Sequence, residues 1–141
     1  MSYASYDTLG KDPNAPTPDQ MADLPSILSI DQRTAMIQQN HVVVIDNYTE
    51  WCQPCKAIAP QFAIVAKNYI DKYNQQNQRV PTIAFAKEDA DKKLENKPRI
   101  RGVPCFHIYV NGQHKPEHTI TGGDLDALQT NIDSALKSIH M

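Results

Sequence analysis

The chain has 141 residues, of which 40% are hydrophobic and 21% charged, and this length predicts one folded domain. Fourteen Lys and Arg residues against sixteen Asp and Glu residues give a net charge of −2, which argues against electrostatic binding of nucleic acid. The apolar runs, such as residues 42–45, are far too short to span a bilayer, and residues 1–5 lack the features of a signal peptide. We therefore expect a soluble protein of the cytoplasm, a reducing compartment, with no membrane partner.

The first 24 residues contain several prolines and show no sustained period of 2 or 3.6. This composition predicts a mobile N-terminal arm over residues 1–24, followed by a folded domain over residues 25–141. Tyr3, Tyr6 and Leu9 leave open the alternative that the arm is a docking segment.

Regular elements begin after the arm. Residues 26–30 predict a short strand, and Asp31 can cap a helix that continues to about residue 40. Residues 41–47 carry consecutive apolar residues without alternation, which is typical of a strand buried on both faces. A long helix follows from about residue 52 to residue 73, and Pro60 should kink it. Its predicted apolar stripe consists of Ile58, Phe62, Val65 and Tyr69.

The second half of the chain continues the alternation of strands and helices. Residues 81–86 predict a strand, and residues 89–95 a short charged helix. Residues 105–110 predict a strand that the Asn-Gly pair at 111–112 turns back into a partner at about residues 117–121.

Gly122 and Gly123 then break the chain, and Asp124 caps a last helix. The predicted buried face of this helix consists of Leu125, Leu128, Ile132, Leu136 and Ile139. The element order predicts an α/β fold, in which a sheet of parallel and antiparallel strands has helices on both faces.

The chain has three cysteines, and an odd number without a signal peptide favours thiol chemistry or metal binding over a secreted disulfide framework. Cys52 and Cys55 have C-x-x-C spacing where a buried strand is followed by a helix. Free backbone N–H groups and the positive end of the helix dipole favour a thiolate at the first sulfur. The second sulfur lies about one turn away, so the pair can attack an external disulfide and then release it by closing its own. Pro54 suits the first helical turn, where a missing N–H costs little.

Residues 51–56 resemble the active site of the thioredoxin family, and the likeness continues on both sides of the cysteines. Asp46 stands six residues before Cys52, where the family has a buried carboxylate. Residues 50–52 and 55–60 reproduce the family's run, including its helix-kinking proline, and residues 100–104 resemble its loop that bears a cis-proline.

The resemblance extends over residues 26–139, because residues 110–112 match the family's hairpin and Gly122 its glycine after the last strand. Lys87 falls where the family often has a lysine near the buried aspartate, and it is a candidate for supporting proton transfer. The resemblance implies a thioredoxin fold with a central mixed sheet, and a thiol–disulfide oxidoreductase that reduces protein disulfides. It also implies a thioredoxin reductase or a small thiol as electron donor. We expect a monomer that needs no bound cofactor or metal.

The resemblance also assigns roles to particular residues. Cys52 is the expected nucleophile, Cys55 resolves the mixed disulfide, and Asp46 accepts the proton of Cys55. The implied substrate-binding residues are Trp51, Gln53, Pro54, Val103, Pro104 and Gly122.

Four positions depart from the family pattern, and one of them is Tyr48, where a tryptophan is common. Gln53 replaces the glycine usual between the cysteines, and Asn47 stands where an aromatic residue is frequent. Cys105 follows Pro104 where threonine is usual, and it is either a small buried hydrophobe or a redox modulator of the cysteine pair.

Two other functions stay open at the level of sequence. A zinc or iron–sulfur module can be drawn from Cys52, Cys55, Cys105 and His107, the last two of which share a strand face. Alternatively, the domain is an interaction or scaffold subunit in which the thiols have a secondary redox role.

Overall fold

Residues 24–139 are described by a computed structural model, in which three helices cover both faces of a five-stranded sheet. The elements in chain order are α1 (Ile30–Gln39), β1 (Val42–Tyr48), α2 (Gln53–Tyr73), β2 (Ile83–Asp89), β3 (Cys105–Val110), β4 (Gln113–His114), β5 (Ile120–Thr121) and α3 (Leu125–Ser138). The predicted arm lies outside the described residues except for its last residue. None of the helices among residues 24–139 is long and apolar enough to cross a membrane.

The strand predicted to be buried on both faces lies at the centre of the sheet. The strand order is β2-β1-β3-β4, and β5 also pairs with β3. β1 runs parallel to β2 and antiparallel to β3, and its residues 42–47 are all buried. The register places Asp46 between Lys87 and Phe106. The predicted α/β fold with a mixed sheet is therefore confirmed.

The core is divided by the sheet. On one face, α2 and α3 pack against β1–β3, and the Phe62 ring lies 5.9 Å from that of Phe85 and 5.1 Å from that of Phe106. On the other face, α1 covers a smaller cluster that includes Val43, Ile45 and Tyr109. Burying each large apolar side chain stabilises the fold by about 1.5–3 kcal/mol, so both faces contribute to the stability of β1.

The helix boundaries follow side-chain capping. Asp124 caps α3 as predicted, because its carboxylate accepts a hydrogen bond from the backbone N–H of Ala127. The predicted cap of α1 at Asp31 is wrong. Ser29 caps the helix instead, because its hydroxyl accepts from the N–H of Gln32 at 3.1 Å. Asp31 lies in the first turn, where its negative charge interacts favourably with the positive end of the helix dipole.

Two short predicted elements are smaller than expected. The predicted strand at residues 26–30 is a single bridge between Ser26 and Lys87, because the chain enters α1 at Ile30. The predicted helix at residues 89–95 is only a 3₁₀ turn, Ala90–Lys92. It ends there because Lys93 adopts a left-handed conformation with φ 52°.

The hairpin after β3 also differs in its second half. Asn111 and Gly112 turn the chain with positive φ angles of 50° and 84°, as their sequence predicts. The returning segment, however, is divided into β4 and β5 by a 3₁₀ turn, Pro116–His118. Pro116 lacks an N–H and cannot contribute to the strand ladder, which accounts for the interruption.

Candidate active site

Cys52 and Cys55 form a disulfide at the junction of β1 and α2, with their Cα atoms 5.3 Å apart. Cys52 is the N-cap of α2, and its Sγ accepts a hydrogen bond from the backbone N–H of Cys55 at 3.1 Å. An N–H directed at a sulfur stabilises negative charge on it. The start of α2 therefore favours a thiolate at Cys52 when the disulfide is reduced.

The surface beside this disulfide is formed by an exposed tryptophan. Trp51 is 68% exposed, and its indole Nε1 donates to Asp91 Oδ2 at 2.9 Å. Gln53 and Pro54, which the resemblance implies are substrate-binding residues, are also exposed. Asp91 was not predicted as a site residue, because residues 88–95 suggest only a solvated charged surface and the contact spans 40 positions of sequence.

The segment that precedes β3 lies against Cys52. The carbonyl oxygen of Val103 is 3.7 Å from Cys52 Sγ, and the Val103–Pro104 peptide bond is cis. The carbonyl of Pro104 accepts from the N–H of Gly122 at 2.8 Å. Gly122 has φ 105°, a conformation that other residues rarely adopt. The fold thus brings Val103, Pro104 and Gly122 together beside the disulfide.

A buried carboxylate lies beneath the cysteine pair. Asp46 is 6% exposed, and within residues 24–139 its Oδ1 has no hydrogen-bond partner. Burial raises the pKa of Asp46 from 3.8 to about 7, although the positive charge of Lys87 opposes the rise. A carboxylate with a pKa near neutrality can both take up and release a proton at physiological pH.

A cavity connects this carboxylate with the second cysteine. Its volume is about 200 Å³, which is enough for several water molecules at roughly 30 Å³ each. Its lining consists of Asp46, Tyr48, Thr49, Glu50, Cys55, Lys56, Ala59 and Lys87. Water in this cavity can carry a proton between Cys55 and Asp46.

The third cysteine lies at the start of β3 and is free. Cys105 is completely buried, and burial raises the pKa of its thiol. His107 Nε2 lies 3.6 Å from Cys105 Sγ. Across residues 24–139, no three or more His, Cys, Asp or Glu side chains gather in an arrangement that could hold a metal ion. The predicted alternative of a Cys₃His site therefore has no support in the described part of the chain.

Comparison with known proteins places the whole arrangement in one family. The family model described as thioredoxin matches residues 27–134. The chain is 29% identical to thioredoxin of Coprinus comatus over 78% of this chain and 95% of that protein. It is 33% identical to thioredoxin 1 of Plasmodium falciparum over 74% of this chain and 83% of that protein. The crystal structure of Malassezia sympodialis thioredoxin superimposes with a TM-score of 0.65 at 30% identity, covering 80% of this chain and 93% of that one. The chain therefore belongs to the thioredoxin family and is a thiol–disulfide oxidoreductase whose redox pair is Cys52 and Cys55.

Proposed function

We propose that this oxidoreductase works in the reducing direction and cleaves disulfide bonds of protein substrates. The observation that carries the disulfide exchange is the placement of Cys52 Sγ between the N–H of Cys55 and the carbonyl of Val103. The reducing direction is supported by Pro54 before Cys55, which resembles the thioredoxin sequence. The N–H stabilises a thiolate, and the carbonyl belongs to a backbone segment that can pair with an extended substrate chain. The sulfur that attacks and the surface that aligns the target are thus side by side.

The first step is attack by the Cys52 thiolate on one sulfur of the substrate disulfide. A bond forms between Cys52 and that sulfur, the substrate S–S bond breaks, and the other substrate sulfur leaves as a thiolate that takes up a proton. Trp51 and Pro54 contact the substrate beside the sulfur, and Val103 and Pro104 align its backbone. The product is a mixed disulfide.

The second step releases the substrate. Asp46 takes the proton of the Cys55 thiol through water in the shared cavity. Lys87 supports this role because its positive charge lowers the pKa of Asp46 and so keeps more of the carboxyl ionised before the transfer. The Cys55 thiolate then attacks Cys52 Sγ, which forms the intramolecular disulfide and expels the second substrate sulfur as a thiolate. Two electrons have passed from the dithiol to the substrate. The Cys55 proton held by Asp46 is available to the second substrate thiolate, and the first takes its proton from water.

The cycle requires a reductant for the Cys52–Cys55 disulfide. We propose a thioredoxin reductase or a small thiol as this donor, and a cytoplasmic monomer as the working form. With a net charge of −2, long-range electrostatic steering is weak, so partners are recognised by shape and apolar contact around Trp51.

An insulin-type disulfide reduction assay with dithiothreitol as donor tests the proposal. Because Cys52→Ser removes the nucleophile, we expect its turnover to fall to the uncatalysed rate. Cys105→Ser is the matched control, since it makes the same change at a buried thiol outside the disulfide. We expect the control to retain turnover, which is also the result expected if Cys105 only modulates the pair.

Equal turnover by the wild type and Cys52→Ser would contradict the proposal and favour an interaction or scaffold subunit. Loss in Cys105→Ser as large as in Cys52→Ser would contradict a merely modulating Cys105. The direction is tested by the equilibrium potential of the Cys52–Cys55 pair. A value near about −270 mV supports a reductase, whereas a value near about −180 mV or above contradicts the reducing direction.

A further inference from the structure

An asparagine on the opposite face of β1 from Asp46 contacts the chain directly after Pro104. We propose that Asn47 is a positioning residue whose amide secures the Val103–Pro104 segment in the geometry that receives a substrate chain. The inference rests on the proposed function, because it assumes that this segment aligns the substrate.

The contact is a hydrogen bond between a side chain of β1 and the backbone of β3. Asn47 Nδ2 donates to the carbonyl oxygen of Cys105 at 2.9 Å, and Cys105 is covalently joined to Pro104. On the other side, the carbonyl of Pro104 accepts from the N–H of Gly122. The Pro104 carbonyl is thus bonded to the residue directly after β5, and the Cys105 carbonyl is bonded to β1. Removing either bond gives the segment more freedom beside Cys52.

His107 contacts both Asn47 and Cys105. His107 Nδ1 lies 3.2 Å from Asn47 Nδ2, so this nitrogen is the acceptor and the ring proton lies on Nε2. That Nε2 is 3.6 Å from Cys105 Sγ. Asn47 and His107 therefore bind each other and contact Cys105 at its carbonyl and its thiol respectively. Both side chains are 1% exposed, so water does not compete for these contacts.

Asn47 lowers the stability of the fold in this position. Its Oδ1 is buried, and no hydrogen-bond partner for it lies within residues 24–139. An unpaired buried polar group costs about 1–3 kcal/mol, and an aliphatic residue fits the interior of a strand better than an amide does. Natural proteins place such unfavourable residues mainly at functional sites. The segment adjacent to Asn47 is Val103–Pro104, which lies beside Cys52 in the active site.

The test is Asn47→Leu, which removes the donor while keeping the number and branching of the side-chain heavy atoms. We expect the backbone amide of Gly122 to exchange its hydrogen about two- to tenfold faster, the range that corresponds to one lost hydrogen bond. The KM for a peptide disulfide should rise by a similar factor, because a smaller fraction of the protein has the binding geometry. The kcat, and the rate with a small aromatic disulfide that needs no backbone alignment, should stay unchanged.

Asn74→Leu is the matched control. Asn74 Nδ2 also donates to a backbone carbonyl at 2.9 Å, that of Ile83, but at the start of β2 and outside the active site. We expect this variant to lose stability while leaving Gly122 exchange and KM unchanged. If Asn47→Leu does not fold, Asn47→Ser must show the same pattern, since its hydroxyl is too short to reach the Cys105 carbonyl.

The inference is overturned if Gly122 exchange is unchanged in the Asn47 variant, or if the Asn74 variant has the same effect. It is also overturned if the peptide and the small disulfide lose rate equally, because that result indicates damage to the thiols. Absence of peptide turnover by the wild type would contradict the proposed function alone. The exchange rates of the two variants would then decide the positioning role by themselves.

Discussion

Asp46 is the residue at which the chemistry of the site conflicts with the stability of the fold. Its carboxyl is buried among the residues that surround Cys55, and burial raises its pKa from 3.8 to about 7. Below pH 3.8 the group is protonated in both the folded and the unfolded chain. As the pH rises toward 7, the unfolded chain loses this proton before the folded protein does, so stability falls. Above about pH 7 the carboxyl is ionised in both states, and its contribution to stability no longer changes with pH.

Asp46→Asn should therefore stabilise the protein at high pH. The difference in pKa corresponds to about 4 kcal/mol at pH 8 and shrinks toward zero near pH 4. Urea unfolding of both proteins at several pH values measures it. The control is Asp71→Asn, whose carboxylate forms an exposed pair with Lys67 and should change stability by less than about 1 kcal/mol.

A difference in stability that does not vary with pH would contradict the raised pKa of Asp46. The same variant should reduce disulfides more slowly than the wild type, because it removes the carboxyl that we propose as the proton acceptor for Cys55. Stability and turnover thus change in opposite directions, which separates the effect from simple unfolding.

At the scale of elements, α1, the end of β2 and the chain that follows β2 are joined by a cluster of charges around the buried Glu88. The Arg33 guanidinium donates to both carboxylate oxygens of Glu88 at 2.9 and 3.0 Å, and Lys97 donates to Glu88 at 2.8 Å. Arg33 also donates to the carbonyl of Glu95 at 2.7 Å. Burial opposes ionisation of Glu88, but the hydrogen bonds from Arg33 and Lys97 lower its pKa below the usual value. The cluster therefore attaches the loop that leads to Pro104 to α1.

Removal of one partner of this cluster should be strongly destabilising. Arg33→Met leaves Glu88 buried with Lys97 alone, and we expect a loss of about 3–5 kcal/mol in the free energy of unfolding at pH 7. The double variant Arg33→Met with Glu88→Leu should recover much of the loss, since no buried carboxylate is left unpaired. Lys67→Met breaks an exposed pair and serves as the control. A double variant less stable than Arg33→Met would contradict this explanation.

At the scale of the whole molecule, the fold does not depend on its disulfide. Cys52 and Cys55 are only three positions apart. Closing so short a loop lowers the entropy of the unfolded chain only a little, which stabilises the folded state by on the order of 2 kcal/mol. The packed clusters on the two faces of the sheet supply the stability instead. An oxidoreductase must remain folded in both redox states, and this distribution of stabilising contacts allows it.

Reduction should therefore lower the melting temperature by only several degrees and leave the secondary structure intact. Circular dichroism melts with and without dithiothreitol measure the difference. Phe62→Ala is the comparison, because loss of the ring between Phe85 and Phe106 should cost about 3–5 kcal/mol, more than reduction does. Unfolding on reduction at 25 °C would contradict this account.

Patterns that are local in sequence determined much of the architecture. Consecutive apolar residues predicted β1, the C-x-x-C pair marked the start of α2, and Asp124 marked the start of α3, because strand burial and helix capping depend on near neighbours. Local signals were insufficient where two residues competed, as Ser29 and Asp31 did for the cap of α1. They were also insufficient at residues 89–95, where charge suggested a helix and the backbone formed a single turn.

The sequence by itself thus determined the class of fold and the redox pair, and resemblance to a family drew attention to Asp46 and Pro104. Only the tertiary structure decided which groups meet. The Trp51–Asp91 bond, the contact of Cys52 with Val103 and the bond from Asn47 to the Cys105 carbonyl join residues 40 to 58 positions apart. Such contacts depend on strand register and on the packing of the loops that precede β3, and no periodicity within a single segment encodes either of them.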